Sequence, residues 1–443
     1  MSFTSPASID PVWAAFAAID WASQKHSWSL LPAEGGSIES GQLDNTPEAV
    51  ELWAAELRRR FPQAPIAVAL EQKRGSVVYM LSKYQHLVLY PVPPSMSAAY
   101  RRAFCPSGAK TDPGDANLLL DLLVHHRQQL SPIATDTAET RLLRFLVEQR
   151  RQLVQQKVGL IQQLTDSLQQ YFPQIRTWFG SLDTVLVTAL LHRWPTLSDL
   201  QHAHPGTLRR FFVDHACRND DLIQQRIQAI YAALSATTDP VVIEAGTRKT
   251  AAIGSLLAAA REQIHALDKR IAAVVADHSD AELFASFPGA GAATVPRLIA
   301  AFGTDRNAWT SAAALQCFSG IAPVHKSSGN STVVVMRHAC PKFLRQTFHE
   351  FAGQSILRCQ WAKDCYQAHC HNPKQHHAAV RALAFKWIRI LFRGWKDRKP
   401  DDENRYLTSR QRLSALVGPA LASVIELKWN TVAGFSKLSE KNA

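Results

Sequence analysis

The sequence predicts a mixed α/β domain at the N-terminus and an all-α remainder, on three observations. In the first hundred residues, apolar runs of strand length alternate with turn residues and short helical patterns. From Glu139 onward, apolar residues recur at helical spacing over much longer runs. The charge divides at the same place. Residues 1–135 hold 11 Lys+Arg against 12 Asp+Glu, so the rest of the chain carries all of the net charge of +12.

Taken in order, VWAAFAAIDWA reads as a buried strand ending at Asp20. HSWSLLPA and SIESGQL follow as shorter strands joined through a Gly-Gly turn. TPEAVELWAAELRRRF opens with a threonine cap and an early proline, then keeps helical apolar spacing. PIAVALE is a compact apolar strand ending at Glu71. A short helix from about Ser76 leads to HLVLYPVPP, a strand closed by prolines, then to Ser97–Phe104 and a helix opened by KTDPGDANLLLDLL. In that last motif Asp112 suits the N-cap, Pro113 the first turn and Asp115 the third helical position, where acids favour the helix dipole.

The resulting order is three strands, helix, strand, helix, strand, helix, with a carboxylate closing two of the strands. It is the layout of a ribonuclease-H-like (RuvC-like) fold, in which acids from the first strand, the fourth strand and a late helix converge on metal ions. Asp20, Glu71, Asp112 and Asp115 therefore have two readings. Separately they are strand ends and a helix cap; together they are oxygen donors for Mg2+ or Mn2+.

The middle of the chain is helical. Leu146, Leu153 and Leu160 form one heptad row, and Val147, Val154, Ile161 and Leu168 an adjacent one, before Pro173 ends the helix. A second stripe, Leu256, Leu257, Ile264, Leu267, Ile271 and Val274, is spaced to pack antiparallel against it. A coiled coil is expected here over a simple core helix, and with it a homodimer or homotetramer. Residues 180–245 read as further helix with no legible chemistry.

In SFPGAGAATVPRLIAAFG a Pro-Gly-x-Gly turn feeds an apolar helix, as in a helix-hairpin-helix, where the amides of Gly289 and Gly291 would hold a phosphate backbone. Next, Ser327, Ser328 and Ser331 share a Gly-containing loop with His325 and Lys326, followed by Arg337 and His338. Serine becomes a nucleophile when a base or metal eases its deprotonation and cations stabilise the developing charge. The same composition also serves an ordinary polar loop. Cys359, Cys365, His369, Cys370, His371, His376 and His377 offer zinc-ligand chemistry, but no pair has CxxC spacing and the stretch also reads as helix, Asn-Pro turn, helix. Arg381, Lys386, Arg389 and Arg393 lie along one expected helix as nucleic-acid contacts. The expected divisions are 1–135, 136–280, 281–400 and a tail, 401–443.

Between Met336 and Pro400, 13 basic residues face 3 acidic ones, which makes a polyanion the natural partner. No run is long and apolar enough to span a bilayer, and MSFTSPASIDPVW lacks a signal-peptide pattern. Seven scattered cysteines have no disulfide-framework spacing. A reduced cytoplasmic protein bound to nucleic acid, and not to membrane, is the expectation.

The motifs AAIDWA, VALE and KTDPGDANLL, followed by FPGAGAATVPRLIAAFG and FSGIAPVHKSSG, resemble those of the DEDD transposases of the IS-one-ten (IS110) family of insertion sequences, nearly end to end. The resemblance implies serine recombinases guided by a noncoding bridge RNA and acting on donor and target DNA, in the bacterial cytoplasm and at the nucleoid when bound. It implies that Asp20, Glu71, Asp112 and Asp115 bind magnesium, and that Ser328, the serine before a glycine beyond Gly320-Ile321-Ala322-Pro323, attacks DNA, with Ser327 its nearest competitor. It further implies a composite site formed between protomers. Two stretches depart from the family pattern: Gln72-Lys73-Arg74-Gly75 stands where many members have Ala-Thr-Gly, and STVVVMRHACPK is more apolar than the usual basic segment. Two other classes compete. One is a RuvC-like endonuclease that uses water as nucleophile; the other is a non-catalytic nucleic-acid-binding protein.

Overall fold

The computed structural model describes residues 13–72, 74–104, 112–133, 136–329 and 331–402. All but the first two residues of the tail expected at 401–443 lie outside the described residues. The chain divides into two compact units, residues 1–135 and 136–443.

The first unit is built on five strands, β1 (Ala15–Asp20), β2 (Lys25–Pro32), β3 (Glu39–Asp44), β4 (Ile66–Leu70) and β5 (Leu87–Pro91), in the order β3-β2-β1-β4-β5. Short turns make β1, β2 and β3 antiparallel. The helices α1 (Pro47–Arg60) and α2 (Ser76–Leu81) are the crossovers that bring in β4 and β5 parallel. Thr46 caps α1 by accepting from the Ala49 amide at 3.3 Å, and Pro47 fills the first helical position. Every residue of β4 is buried, as expected of a parallel strand covered on both faces. On one face Val50, Ala54 and Leu57 of α1 and Val77, Val78 and Leu81 of α2 pack on Ile66, Val68 and Leu70. After α3 (Pro94–Phe104), α4 (Asp112–His126) covers the other face, with Leu119, Leu122 and Leu123 clustered with Ala18, Ala67 and Ala69. Small residues on that face leave room for a closely packed helix. The strand order and mixed sheet fit the start of a ribonuclease-H-like fold.

Among its described residues the second unit is helical apart from one β-ribbon. Its long members are α5 (Ala138–Tyr171) and α6 (Pro240–Ala276), each about 50 Å long at 1.5 Å per residue. They run antiparallel. Thr140 Oγ1 meets His278 Nε2 at 2.8 Å just beyond one end, Arg150 pairs with Asp268, and Ser167 Oγ lies 3.3 Å from Thr250 Oγ1 near the other. The heptad-like rows thus serve a pairing within one chain. Two cores hold the pair. Leu164, Leu168, Ile253 and Leu257 join the short helices of the 174–232 segment, whereas Leu143, Leu146, Val147, Ile271 and Val274 join the C-terminal helices. Between the cores, Leu153 and Val154 are only half-buried. Leu256, placed on the stripe from sequence, is 55% exposed, and Ile253 takes the inward position.

The C-terminal core gathers α7 (Val295–Phe302), α8 (Lys342–Ser355), α9 (Gln360–Gln367) and α10 (His376–Asp397) around Phe287, Phe302, Phe348, Phe351, Trp387 and Trp395. β6 (Val324–Ser328) and β7 (Ser331–Val335) form an antiparallel ribbon in which Ser328 pairs with Ser331. The expected polar loop is therefore a hairpin. The β-branched run Val333–Val335 supplies one strand, and Gly329, at φ +55°, begins the turn. Among the described residues no helix is long and apolar enough to cross a membrane.

Candidate active site

The period of a strand places two of the predicted acids. Ala15, Ala17 and Ile19 of β1 pack toward α1, so Asp20 shares the opposite face with Ala18. By the same alternation Glu71, one residue beyond β4, shares the face of Ala67 and Ala69. Ile19 registers with Leu70 across the parallel pair, so Asp20 and Glu71 leave adjacent strand ends side by side. On α4, Asp115 lies four residues before Leu119 and seven before Leu122, on the core-facing stripe, which is why it is buried. Ser29 Oγ donates to Asn117 Oδ1 at 2.6 Å and ties the first turns of α4 to β2.

Asp20, Glu71 and Asp115 accordingly line one cleft of about 480 Å3, together with Lys25, Ser27, Ser97 and Arg101. Asp115 is not left as a bare buried charge: Arg101 Nη1 lies 2.5 Å from its Oδ1. Ser97 Oγ donates to Glu71 Oε1 at 2.5 Å and to the carbonyl of Pro94. Both partners come from α3 at an i, i+4 spacing, which sets them on the same side of that helix. α4 begins at Asp112, whose side chain lies outside the described residues. Among the described residues no three His, Cys, Asp or Glu groups already stand together as a metal cage. The donors present are nonetheless all oxygen, in a polar cleft open to water. That chemistry suits a hard dication such as Mg2+, which keeps several waters and takes few carboxylates.

The ribbon holds the predicted serine. Ser328 is exposed, and among the described residues its hydroxyl has no side-chain partner. Alternation along β6 puts Ser328 on the same ribbon face as Lys326, with His325 and Ser327 on the other.

Two family models match this chain. One, described as a transposase of the DEDD type of IS110, covers residues 17–173; the other, of the transposase IS116/IS110/IS902 family, covers residues 281–367. The chain belongs to the IS110 family of transposases. The first match spans all four predicted acids, and the second spans the Gly289 turn and the Ser328 ribbon. Among similar proteins, the candidate mini-circle transposase for IS117 of Streptomyces coelicolor is 24% identical over 406 residues, 88% of this chain and 96% of that protein. An uncharacterised 43.6 kDa protein of insertion element IS110 from the same organism is 30% identical over 222 residues, 49% of this chain and 53% of that one.

The other predicted positions of this transposase scatter. Gly289, at φ +90°, is required by packing, because a Cβ there would stand 2.7 Å from the Ser355 amide nitrogen. Gly291 is open. The Arg337 carbonyl accepts from Arg345, whose side chain also bonds the His338 carbonyl and Cys340 Sγ and so fixes the chain leaving the ribbon. The four basic residues of α10 do not share one face. At 100° per residue, Lys386, Arg389 and Arg393 fall within about 60° of one another, and Arg381 lies apart from them. Arg393 pairs with Asp397. Cys359 and Cys365 are buried in the apolar core, and His369 Nδ1 bonds the Cys365 carbonyl. Sequence reasoning missed Arg101 and Ser97. Their signal was an Arg and a Ser one helical turn apart, just ahead of the acid-bearing helix.

Proposed function

We propose that this transposase cuts and rejoins DNA through a serine–DNA covalent link, at an acid cleft that holds magnesium, as a homo-oligomer directed by a noncoding bridge RNA. The observation that carries the reading is the convergence of Asp20, Glu71 and Asp115 on one cleft. These three, with Asp112, would hold the metal, which when bound polarises a phosphodiester. Ser328 Oγ forms a bond to phosphorus as the bond to one bridging oxygen breaks, and that oxygen leaves as a strand-end hydroxyl carrying the proton. The resulting phosphoserine diester keeps the bond energy, and a hydroxyl from another strand end reverses the exchange. Lys326, on the same ribbon face, stabilises the developing negative charge. The acids and the serine belong to different units of the chain, and the family resemblance implies that two protomers supply them. The net positive charge of the second unit supports nucleic-acid binding. RNA guidance rests on the family resemblance alone.

The exposed hydroxyl of Ser328, unpartnered among the described residues, favours one second reading, hydrolysis by metal-bound water with Ser328 a bystander. Denaturing electrophoresis with labelled DNA decides between them. Wild type and Ser327→Ala should give a protein-linked DNA band, and Ser328→Ala none, with normal binding. Magnesium-dependent cutting without any such band would establish the hydrolytic reading instead.

A further inference from the structure

The second unit contains a larger cleft, about 660 Å3, between the Gly289 turn and helices α5, α6, α8 and α10. Its walls differ in character. Val147, Val154, Ile271 and Pro296 give it an apolar side. From α8 and α10 it is lined by Lys342, Arg345, His349, His377 and Arg381. Most other charges on the lining are already matched: Arg150 with Asp268, Arg151 with Glu148, and Arg297 with Glu350. Arg381 is different. It is half-buried, and among the described residues it has no hydrogen-bond or ion-pair partner, while its strongest electrostatic neighbour is another cation, Arg345. Burial first, and Arg345 second, push its pKa down. His349 and His377 lie with ring centroids 5.4 Å apart beside it. Glu350, the nearby carboxylate, is engaged by Arg297 and Gln346. A half-buried guanidinium next to a second one, without a carboxylate of its own, is unfavourable unless an anion completes it.

We propose that this cleft receives one unstacked nucleotide of a bound single strand, its phosphate held by Arg381 in the field of Arg345 and its base laid against Val154, Ile271 and Pro296. The volume suits one nucleotide, and the pairing of an apolar wall with a cationic one is what single-strand sites use. The inference rests on the nucleic-acid reading above but does not depend on the acid cleft or on Ser328.

The test is fluorescence anisotropy of the full chain with labelled single-stranded oligonucleotides, in separate RNA and DNA arms, across a salt series. Arg381→Gln should weaken binding about tenfold, the loss of one charge-assisted contact, and lower the salt slope by roughly one phosphate. Val154→Trp fills the apolar side without removing a cation, and should weaken binding with the slope unchanged. Arg248→Gln, which removes an exposed cation paired with Glu244, serves as the control for general charge loss. The arm in which both effects occur identifies the strand as RNA or DNA. If the Arg381 variant weakens binding and the Val154 variant does not, Arg381 makes only a surface phosphate contact and the nucleotide pocket is overturned. Wild-type affinity and slope in both variants also overturn it. Failure of the wild type to bind any strand at low salt would instead sink the nucleic-acid reading itself. Circular dichroism of each variant separates these outcomes from misfolding.

Discussion

Replacing Arg101 by methionine keeps the length and much of the apolar bulk of the side chain but removes the cation that faces Asp115. The two side chains are 25% and 9% exposed, with 2.5 Å between Nη1 and Oδ1. Removing one partner of a buried pair costs about 3–5 kcal/mol, because the other charge is left uncompensated. Arg101 is a quarter exposed and the cleft is open to water, so solvent screening brings the expected loss to about 1–3 kcal/mol. For a domain of this size that is a fall of roughly 3–5 °C in the unfolding midpoint per kcal/mol. The same change makes the acid cleft more negative and frees Asp115 as a ligand. If the acids hold magnesium, binding at a hundred times its Kd would return about 2.7 kcal/mol, comparable with what was lost. Thermal unfolding with and without magnesium therefore gives a paired outcome. In chelator the variant unfolds earlier than wild type, and magnesium restores it by more than it raises wild type. Adding Asp115→Asn to the variant should abolish that recovery. A midpoint equal to wild type in chelator would refute the compensating role of Arg101. A lowered midpoint that magnesium leaves unmoved would refute the metal site.

Asp20→Asn and Glu71→Gln each remove a charged oxygen donor at nearly constant size, and should abolish strand exchange by the purified protein while its circular dichroism is unchanged. Gly289→Ala forces a Cβ against the Ser355 backbone at positive φ, and should destabilise the second unit by about 2 kcal/mol or more, read as an earlier second unfolding transition. His349 is neutral at pH 7. Burial first, then His377, Arg381 and His376, with Glu350 opposing, pull its pKa down from 6.5 to about 4. A histidine kept neutral by the fold contributes fully above pH 6.5, and that contribution is lost as pH falls from there toward 4, where the unfolded chain binds the extra proton. His349→Gln should therefore lose less stability than wild type between pH 7 and 4.5. Parallel denaturation profiles for the two proteins would contradict this.

Local rules settled much of the first unit. The alternation of β1 and β4 fixes which face Asp20 and Glu71 share with Ala18, Ala67 and Ala69, and Thr46-Pro47 marks where α1 begins, because such signals depend only on near neighbours. Helical spacing likewise marked α5 and α6 as long helices. Partners distant in sequence were not legible. Arg101 neutralises Asp115, and Ser97 donates to Glu71, only because the crossover after β5 lays α3 beside the strand ends, and a pairwise ion contact leaves no periodic trace. The Ser328 segment has a loop's composition, and its ribbon depends on the cross-strand pairing of Lys326 with Val333 and Ser328 with Ser331. On α10, sequence supplied four cations along one helix, but only packing against α8 and α9 decided that Arg381 turns into a cleft beside Arg345. Burial is a property of the assembled core, and it is burial without a counter-charge among the described residues that distinguishes Arg381 from a surface arginine.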